Sequence, residues 1–355
     1  MESARTPIPI GVVTNPNSKK NRLRHRRAEE LQRILGPLGL VRETRNVGEI
    51  RPAVEEFFDR EVRYWVSDGG DGALHWLVNE VREAMPRSPD AVGPGGGGTA
   101  LPIFVPTNGG TIDFVAKKAG IRGEADEILK SLVQAERSGR EFVLEEVESL
   151  LVEGERLEED GALRPFRRVG FCAAIAGIGQ RFFEEYYRDP FPDTRTLVTI
   201  IAKGLASIAL NVTGLARLPI VSADWSGYVT GFLRPQRARV LVDGTPLQGE
   251  QWRALHVGAI YADLGGVVRL FPLAGKGKLH VVAGNPSMLE VARCVPRLIA
   301  GGTMVGVHEA AATALEVEAL GEEALCPVID GEIFRGVRRL RVGPGPLLRI
   351  PRVPG

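Results

Sequence analysis

Cysteine is scarce in this chain: of 355 residues only Cys172, Cys294 and Cys326 are cysteines, an odd number with no CxxC spacing. That excludes a disulfide framework and a cysteine zinc site, and points to a reducing cytosol. An excess of charge of one sign is also lacking. Lys and Arg number 45 against 44 Asp and Glu, so the net charge of +1 provides no global field for a polyanion, and nucleic acid is not an expected partner. None of the five histidines stands in an HExxH or similar spacing, which excludes the usual transition-metal motifs. Long apolar runs are missing too. The best, Leu197 to Ala216, is interrupted by Lys203, Asn211 and two glycines, and reads as a buried or interfacial helix rather than a bilayer span. Met1 to Pro9 lacks the basic and apolar regions of a signal peptide, so a cytoplasmic protein is expected.

What is present is enough apolar residue, 44%, for roughly two domains. Pro9 to Thr14 is a short β-branched strand that ends in the turn Asn15-Pro16-Asn17, and Arg22 to Leu38 carries Leu23, Leu31, Ile34, Leu35 and Leu38 at helical spacing. The alternation continues with a helix over Arg51 to Phe58, a strand over Val62 to Val66, a helix over Ala73 to Met85 and a strand over Leu101 to Val105. It predicts βαβ units around a largely parallel sheet. Pro86 to Ala100, with four consecutive glycines, reads as a surface loop. From about Phe142 the segments become short and β-rich: Phe142 to Val152, Phe166 to Ala174, Gly227 to Leu233, Val240 to Val242, Ala254 to Tyr261, Leu279 to Val282, Leu315 to Leu320 and Leu325 to Ile329. They predict a second, antiparallel domain of sandwich type, interrupted by helices near Thr196 to Leu215 and Pro286 to Ala300.

Two glycine turns carry the chemistry. In Tyr64-Trp65-Val66-Ser67-Asp68-Gly69-Gly70-Asp71-Gly72 an apolar strand runs into a turn that opens a helix. Glycines there allow positive φ and close backbone approach, and amides at the helix start suit a phosphate. Val105 to Phe114 repeats the arrangement through Asn108-Gly109-Gly110-Thr111 and Asp113. Two such turns at the same ends of parallel strands make the crevice in which open α/β sheets bind ligands.

The order Asn15-Pro16, Gly69-Gly70-Asp71-Gly72, Pro106 to Phe114 with Gly110-Thr111 and Asp113-Phe114, then Ala119-Gly120-Ile121 resembles the catalytic domain of diacylglycerol, sphingosine and ceramide kinases. Pro272-Leu273-Ala274, the strand Lys278 to Val282, Ile329-Asp330-Gly331-Glu332 and Gly343-Pro344-Gly345-Pro346-Leu347 extend the likeness to bacterial lipid kinases over nearly the whole chain. The resemblance implies an α/β catalytic domain over residues 1–140, a β-sandwich lipid-substrate domain over 141–335, and a segment, 336–355, that in the family often returns to the first domain. It also implies transfer of the γ-phosphoryl of ATP to the hydroxyl of a diacylglycerol, ceramide or sphingoid base, with magnesium. Carried over by position, Asn15, Gly69, Gly70, Gly72, Gly110, Thr111 and Asp113 would line the ATP site, Asp71 would hold the magnesium or the transferred phosphoryl, and Glu332 would be the general base.

The chain departs from the family where a threonine, leucine, asparagine and glutamate usually follow the first glycine turn: it has Ala73, Leu74, His75 and Trp76. The usual asparagine-aspartate pair reads Ile112-Asp113, and the aspartates of a structural magnesium site are replaced by Gly275-Lys276-Gly277-Lys278. These departures support, as the alternative, a degenerate relative that binds lipid or nucleotide without turnover. The GGDG element is shared with NAD kinases, but Asn79-Glu80 lies on the same helix as the turn, too close for their separate asparagine-glutamate motif. A lipid substrate implies peripheral contact with the inner membrane face, for which the candidates are the Leu197 to Ala216 helix and the run Lys19 to Arg27. That run holds six basic residues and otherwise reads as a solvated helix start.

Overall fold

The computed structural model describes residues 8–85, 101–218, 221–264, 268–304 and 306–354, and the loop expected over Pro86 to Ala100 lies outside them. The chain forms two compact units, Met1–Val147 with Leu347–Gly355, and Glu148–Pro346.

The first unit begins with β1 (Ile10–Thr14), α1 (Arg27–Leu35), β2 (Gly39–Glu43), α2 (Ile50–Asp59), β3 (Tyr64–Asp68) and α3 (Asp71–Ala84). It continues with β4 (Ile103–Pro106), α4 (Phe114–Lys118), α5 (Ala125–Ser138) and β5 (Leu144–Val147). The six-stranded sheet has the order β2, β1, β3, β4, the closing segment Leu348–Pro351, then β5. β1 through β4 are parallel, and the closing segment pairs parallel to β4 but antiparallel to β5. Every residue of β1, β3 and β4 is buried, as the near-continuous apolar runs of a sheet covered on both faces require. Leu31, Leu35, Phe57, Leu74, Leu77, Leu129 and Leu132 cover it from the helices.

Helix α1 starts at Arg27 rather than Arg22, because the residues before it are held in a loop by Asn21, whose amide donates to the Asn15 and Asp68 carbonyls. Two elements of this unit, β2 and α5, had no counterpart in the sequence reading. Edge strand β2 has only two buried residues, Gly39 and Val41. Helix α5 did leave a readable signal, Ile128, Leu129, Leu132 and Val133 on one face behind a Glu124–Glu127 capping box.

The second unit contains β6 (Leu150–Leu157), β7 (Leu163–Gly170), β8 (Cys172–Gly177), α6 (Ile178–Tyr186), α7 (Thr194–Val212), α8 (Ala223–Phe232), β9 (Gln236–Val242), β10 (Thr245–Pro246), β11 (Gln251–Trp252) and β12 (Ala254–Gly258). There follow β13 (Ala262–Leu264), β14 (Val268–Leu270), β15 (Leu279–Gly284), α9 (Met288–Ala300), β16 (Val307–Ala312), β17 (Leu315–Ala319), β18 (Val328–Ile329), β19 (Glu332–Ile333) and β20 (Val337–Pro344). One antiparallel sheet has the order β10, β9, β17, β20, β6, β7, with β11 also on β9; the other has the order β16, β15, β12, β8, β18, β19. The α/β sheet and the antiparallel sheets are the fold class that the alternation of elements predicts.

The apolar stretch Phe142 to Val152 is split at Glu148-Ser149: β5 belongs to the first unit and β6 to the second. Residues 337–344 are the β20 strand of the second unit, so the return to the first unit begins at Leu347 and not at 336. Gly227 to Leu233, expected as a strand, is the latter part of helix α8 and its C-cap instead. Two contacts with α7 hold that helix, Val229 N donating to Ser207 Oγ at 3.1 Å and Asn211 Nδ2 donating to the Ser226 carbonyl at 2.8 Å. Tertiary contacts override a weak local preference here.

Candidate active site

Because β1, β3 and β4 run parallel in register, Thr14 opposite Asp68 and Ser67 opposite Pro106, the loops that follow them leave the sheet at one edge. This is the carboxyl edge, where open α/β sheets bind ligands. The structure brings together there Asn15, Gly69, Gly70, Asp71, Gly72, Gly110, Thr111 and Asp113, all within the first unit.

The two glycine turns run backbone against backbone. Thr107 N donates to the Ser67 carbonyl at 3.1 Å and Gly109 N to the Gly69 carbonyl at 3.2 Å. A Cβ on Gly70 would lie 2.9 Å from Gly110 Cα, and one on Gly110 would lie 2.6 Å from Gly70 Cα and 2.7 Å from Asp113 Oδ1. Close approach alone therefore demands these glycines. Neither has positive φ: Gly70, the residue before α3, sits at φ −90°.

Asp71 opens the first turn of α3, where a carboxylate complements the helix dipole. Its side chain also reaches the neighbouring helix: Phe114 N donates to Oδ2 at 3.1 Å and Val115 N to Oδ1 at 3.2 Å. The carboxylate thus caps α4 as well as standing at the first glycine turn. Asp113, immediately before α4, holds a left-handed conformation at φ +51° and accepts the Gly110 N–H at 2.9 Å. Burial pushes its carboxyl up to about 6, against the opposing pull of that hydrogen bond and of the Lys20 and Lys117 ammonium groups. Asn15 accepts the Asn17 N–H through Oδ1 at 2.9 Å and donates its own N–H to the Asp68 carbonyl at 3.1 Å, which fixes the loop after β1 against the glycine turn.

Beneath the turn lies a polar hub that the sequence reading missed. Asp68, 1% exposed, accepts from Thr14 Oγ1 at 2.7 Å, Asn21 Nδ2 at 3.0 Å, Arg27 Nε at 3.2 Å and Thr107 Oγ1 at 3.4 Å. It therefore ties the ends of β1, β3 and β4 to the start of α1. Arg27 also binds Asp126 of α5, as does Arg24 at 3.2 Å, while Lys20 pairs with Glu124 at 3.1 Å. Burial lowers the Arg27 guanidinium, but the carboxylates of Asp68 and Asp126 outweigh it and hold the group above its ordinary value. The run Lys19 to Arg27 is accordingly built into the first unit through Lys20, Arg24 and Arg27. The one available signal was a carboxylate at the end of an apolar strand, where burial calls for polar partners.

In the second unit Asp330 and Gly331 form the two-residue turn of the β18–β19 hairpin, both with positive φ, 51° and 93°, as a type I′ turn requires. Asp330 Oδ1 accepts from Phe171 N at 2.9 Å and Cys172 N at 3.0 Å and so pins the hairpin beside β8. Glu332 follows, paired across the hairpin with Ile329 and half-buried. Gly275-Lys276-Gly277 is a tight turn with three consecutive positive φ values, and Gly277 N donates to Glu148 Oε1 at 2.6 Å. Both Lys276 and Lys278 are exposed.

At the start of α3 the Gly69-Gly70 turn carries no side chain of its own, which is the chemistry a nucleotide phosphate would need of this site. Among the described residues no three acidic, histidine or cysteine side chains converge as a metal cage, so a magnesium ion there would take most of its ligands from phosphate and water.

Residues 9–142 match the family model described as the diacylglycerol kinase catalytic domain. These residues belong to that family. Across both units the chain is similar to solved structures from Bacillus anthracis str. Sterne, two of a protein provisionally described as a diacylglycerol kinase and one described as a diacylglycerol kinase. Identities are 14%, 13% and 12%, TM-scores 0.59, 0.59 and 0.54, with 96% of each chain covered, and the likeness establishes a shared fold over nearly the full length. No curated protein matches the chain in sequence. The diacylglycerol-kinase-type unit is the one that holds the glycine turns, and Glu332 lies outside the matched residues.

Proposed function

We propose that the protein is a lipid kinase that transfers the γ-phosphoryl of ATP to the hydroxyl of a lipid alcohol, a diacylglycerol, ceramide or sphingoid base. The observation that carries this reading is the pair of glycine turns packed backbone to backbone at the carboxyl ends of β3 and β4, in a unit of the diacylglycerol kinase family. Bound magnesium–ATP supplies the phosphoryl group and neutralises much of its charge. The amides of Gly69 to Gly72 bind and orient the phosphates without a side chain in the way. Asp71 would hold the magnesium or the transferred phosphoryl, and its cap on α4 fixes the loop carrying Asp113. Asn15, Gly110 and Thr111 complete the lining. Glu332 takes the proton of the acceptor hydroxyl, a role typically worth about a hundredfold or more in rate. The acceptor resides in a bilayer, so the protein works at a membrane surface.

The second reading, a relative that binds nucleotide or lipid without turnover, is favoured by the engagement of both Asp71 oxygens with α4 and by Ala73 in place of a hydroxyl. Purified protein incubated with labelled ATP, magnesium and a panel of lipid alcohols in mixed micelles, with nicotinamide nucleotides as controls, separates the two. Labelled phospholipid supports the kinase; nucleotide binding without any labelled product supports the binding protein.

A further inference from the structure

Helix α7 has two apolar faces. Leu197, Ile200, Ser207 and Ile208 are buried, packed among Tyr186, Phe182, Phe183 and Phe232 at one end and Val229, Leu233 and Met288 at the other. The opposite face carries Val198, Ala202, Leu205, Ala209 and Val212, spaced four, three, four and three residues apart, so they form one stripe along the helix. A helix with one face on a core normally turns charge to water on the other, yet only 22% of the most apolar window of α7 is buried. Val198 is 47% and Val212 53% exposed. The apolar surface continues beyond the helix through Leu215 and Leu218 and onto α8 through Trp225, all at least 44% exposed.

Along α7 and the segment after it the charge has one sign: between Asp193, which caps α7, and the exposed Asp224 at the start of α8, the sequence contains no Asp or Glu but has Arg195, Lys203 and Arg217. Lys203 Nζ stands 4.1 Å from the centre of the Tyr228 ring and 6.0 Å from that of Trp225, which places an ammonium group beside the two aromatic types that favour a membrane interface.

We propose that the outer face of α7, the segment through Leu218 and the exposed edge of α8 form a docking surface for an anionic phospholipid bilayer. This deepens the lipid-kinase reading and rests on it for its purpose. The helix lies on the membrane instead of crossing it, since its inner face and its hydrogen bonds to α8 are committed to the protein. An isologous contact with a second copy is disfavoured, because it would set Arg195, Lys203 and Arg217 against the same residues.

The test is co-sedimentation with vesicles of phosphatidylcholine, alone or mixed with phosphatidylglycerol, in the absence of ATP. The full chain should bind the anionic vesicles at least tenfold more tightly at low salt, and salt should weaken the binding. Val212→Glu/Leu215→Glu, both at exposed positions, should lose that binding at an unchanged urea midpoint. As a second measurement, brominated lipid should quench part of the tryptophan emission of the wild type, and the quenched part should vanish in Trp225→Phe. Equal binding by the double variant, no preference for anionic vesicles, or an apolar face covered by a self-association that the double variant abolishes would each overturn the proposal. Phosphorylation of a short-chain acceptor in solution is assayed in parallel. Its presence without vesicle binding removes the docking surface alone, and vesicle binding without any phosphorylated product removes the kinase reading alone.

Discussion

Arg27 and Asp68 form an ion pair shielded from water, with Nε 3.2 Å from Oδ2 and only 4% and 1% of the two side chains exposed. The pair joins the start of α1 to the end of β3, directly before the first glycine turn. Removing one partner leaves the other charge buried, which typically costs about 3–5 kcal/mol, so Asp68→Ala should lower the urea midpoint accordingly. Asp68→Asn, which keeps an acceptor for Thr14, should fall between. A wild-type midpoint in Asp68→Ala would mean that the hub contributes nothing.

The same network gives acid sensitivity through Asp126. Burial raises its carboxyl, but the hydrogen bond and charge of Arg27, with Arg24, outweigh it and hold the group below its ordinary value. A depressed carboxyl contributes stability above its unfolded pKa of 3.8 that is lost as pH falls through the folded value. Asp126→Asn should therefore show a shallower loss of stability below about pH 4, read by thermal unfolding across pH.

Asp113 behaves in the opposite sense. Its folded pKa of about 6 lies above the ordinary 3.8, so the folded state holds the proton more tightly and stability declines as pH rises from 3.8 to about 6. Asp113→Asn keeps an acceptor for Gly110 N–H and tolerates the left-handed backbone. It should be more stable than wild type at pH 7.5 by on the order of 2 kcal/mol, and the difference should vanish near pH 3.5.

Gly70→Val should lose both ATP binding and stability, because the added Cβ meets the Gly110 backbone, which cannot turn aside as a side chain would. Isothermal titration and thermal unfolding read the two effects. Full nucleotide affinity in a folded Gly70→Val protein would take away the main support for the kinase.

For Glu332→Gln the expectation is a fall in turnover of about a hundredfold or more with ATP affinity little changed, since size and polarity persist and basicity does not. Asp71→Asn should differ by losing stability as well, about 1 kcal/mol, because an amide offers one acceptor oxygen to the two α4 amides. Unchanged turnover in Glu332→Gln would move the search for the base to Asp113.

Much of the architecture was legible because it is written locally. The parallel strands show as apolar runs, the Asp330-Gly331 hairpin as a turn dipeptide, and both glycine turns as interruptions between strand and helix. Short or weakly patterned elements were not: β2 buries two residues, and α8, with Gly227 and Gly231, has little helical preference of its own.

The sequence by itself determined the alternation of strands and helices in the first unit, and that two glycine-rich loops follow parallel strands at the same end of the sheet. Only the tertiary structure decided what those residues do to one another. Gly70 and Gly110 are glycines because their backbones touch, Asp71 caps a helix 43 positions away, and Arg27 reaches Asp68 across 41. Likewise the sequence marked α7 as apolar, and only packing decided that Leu197, Ile200 and Ile208 are buried while Val198 and Val212 stay exposed. The physical reason is range: backbone propensity and hydrophobic period act between near neighbours in the chain, whereas contact, hydrogen bonding and desolvation act over a few ångströms in space between residues of any separation.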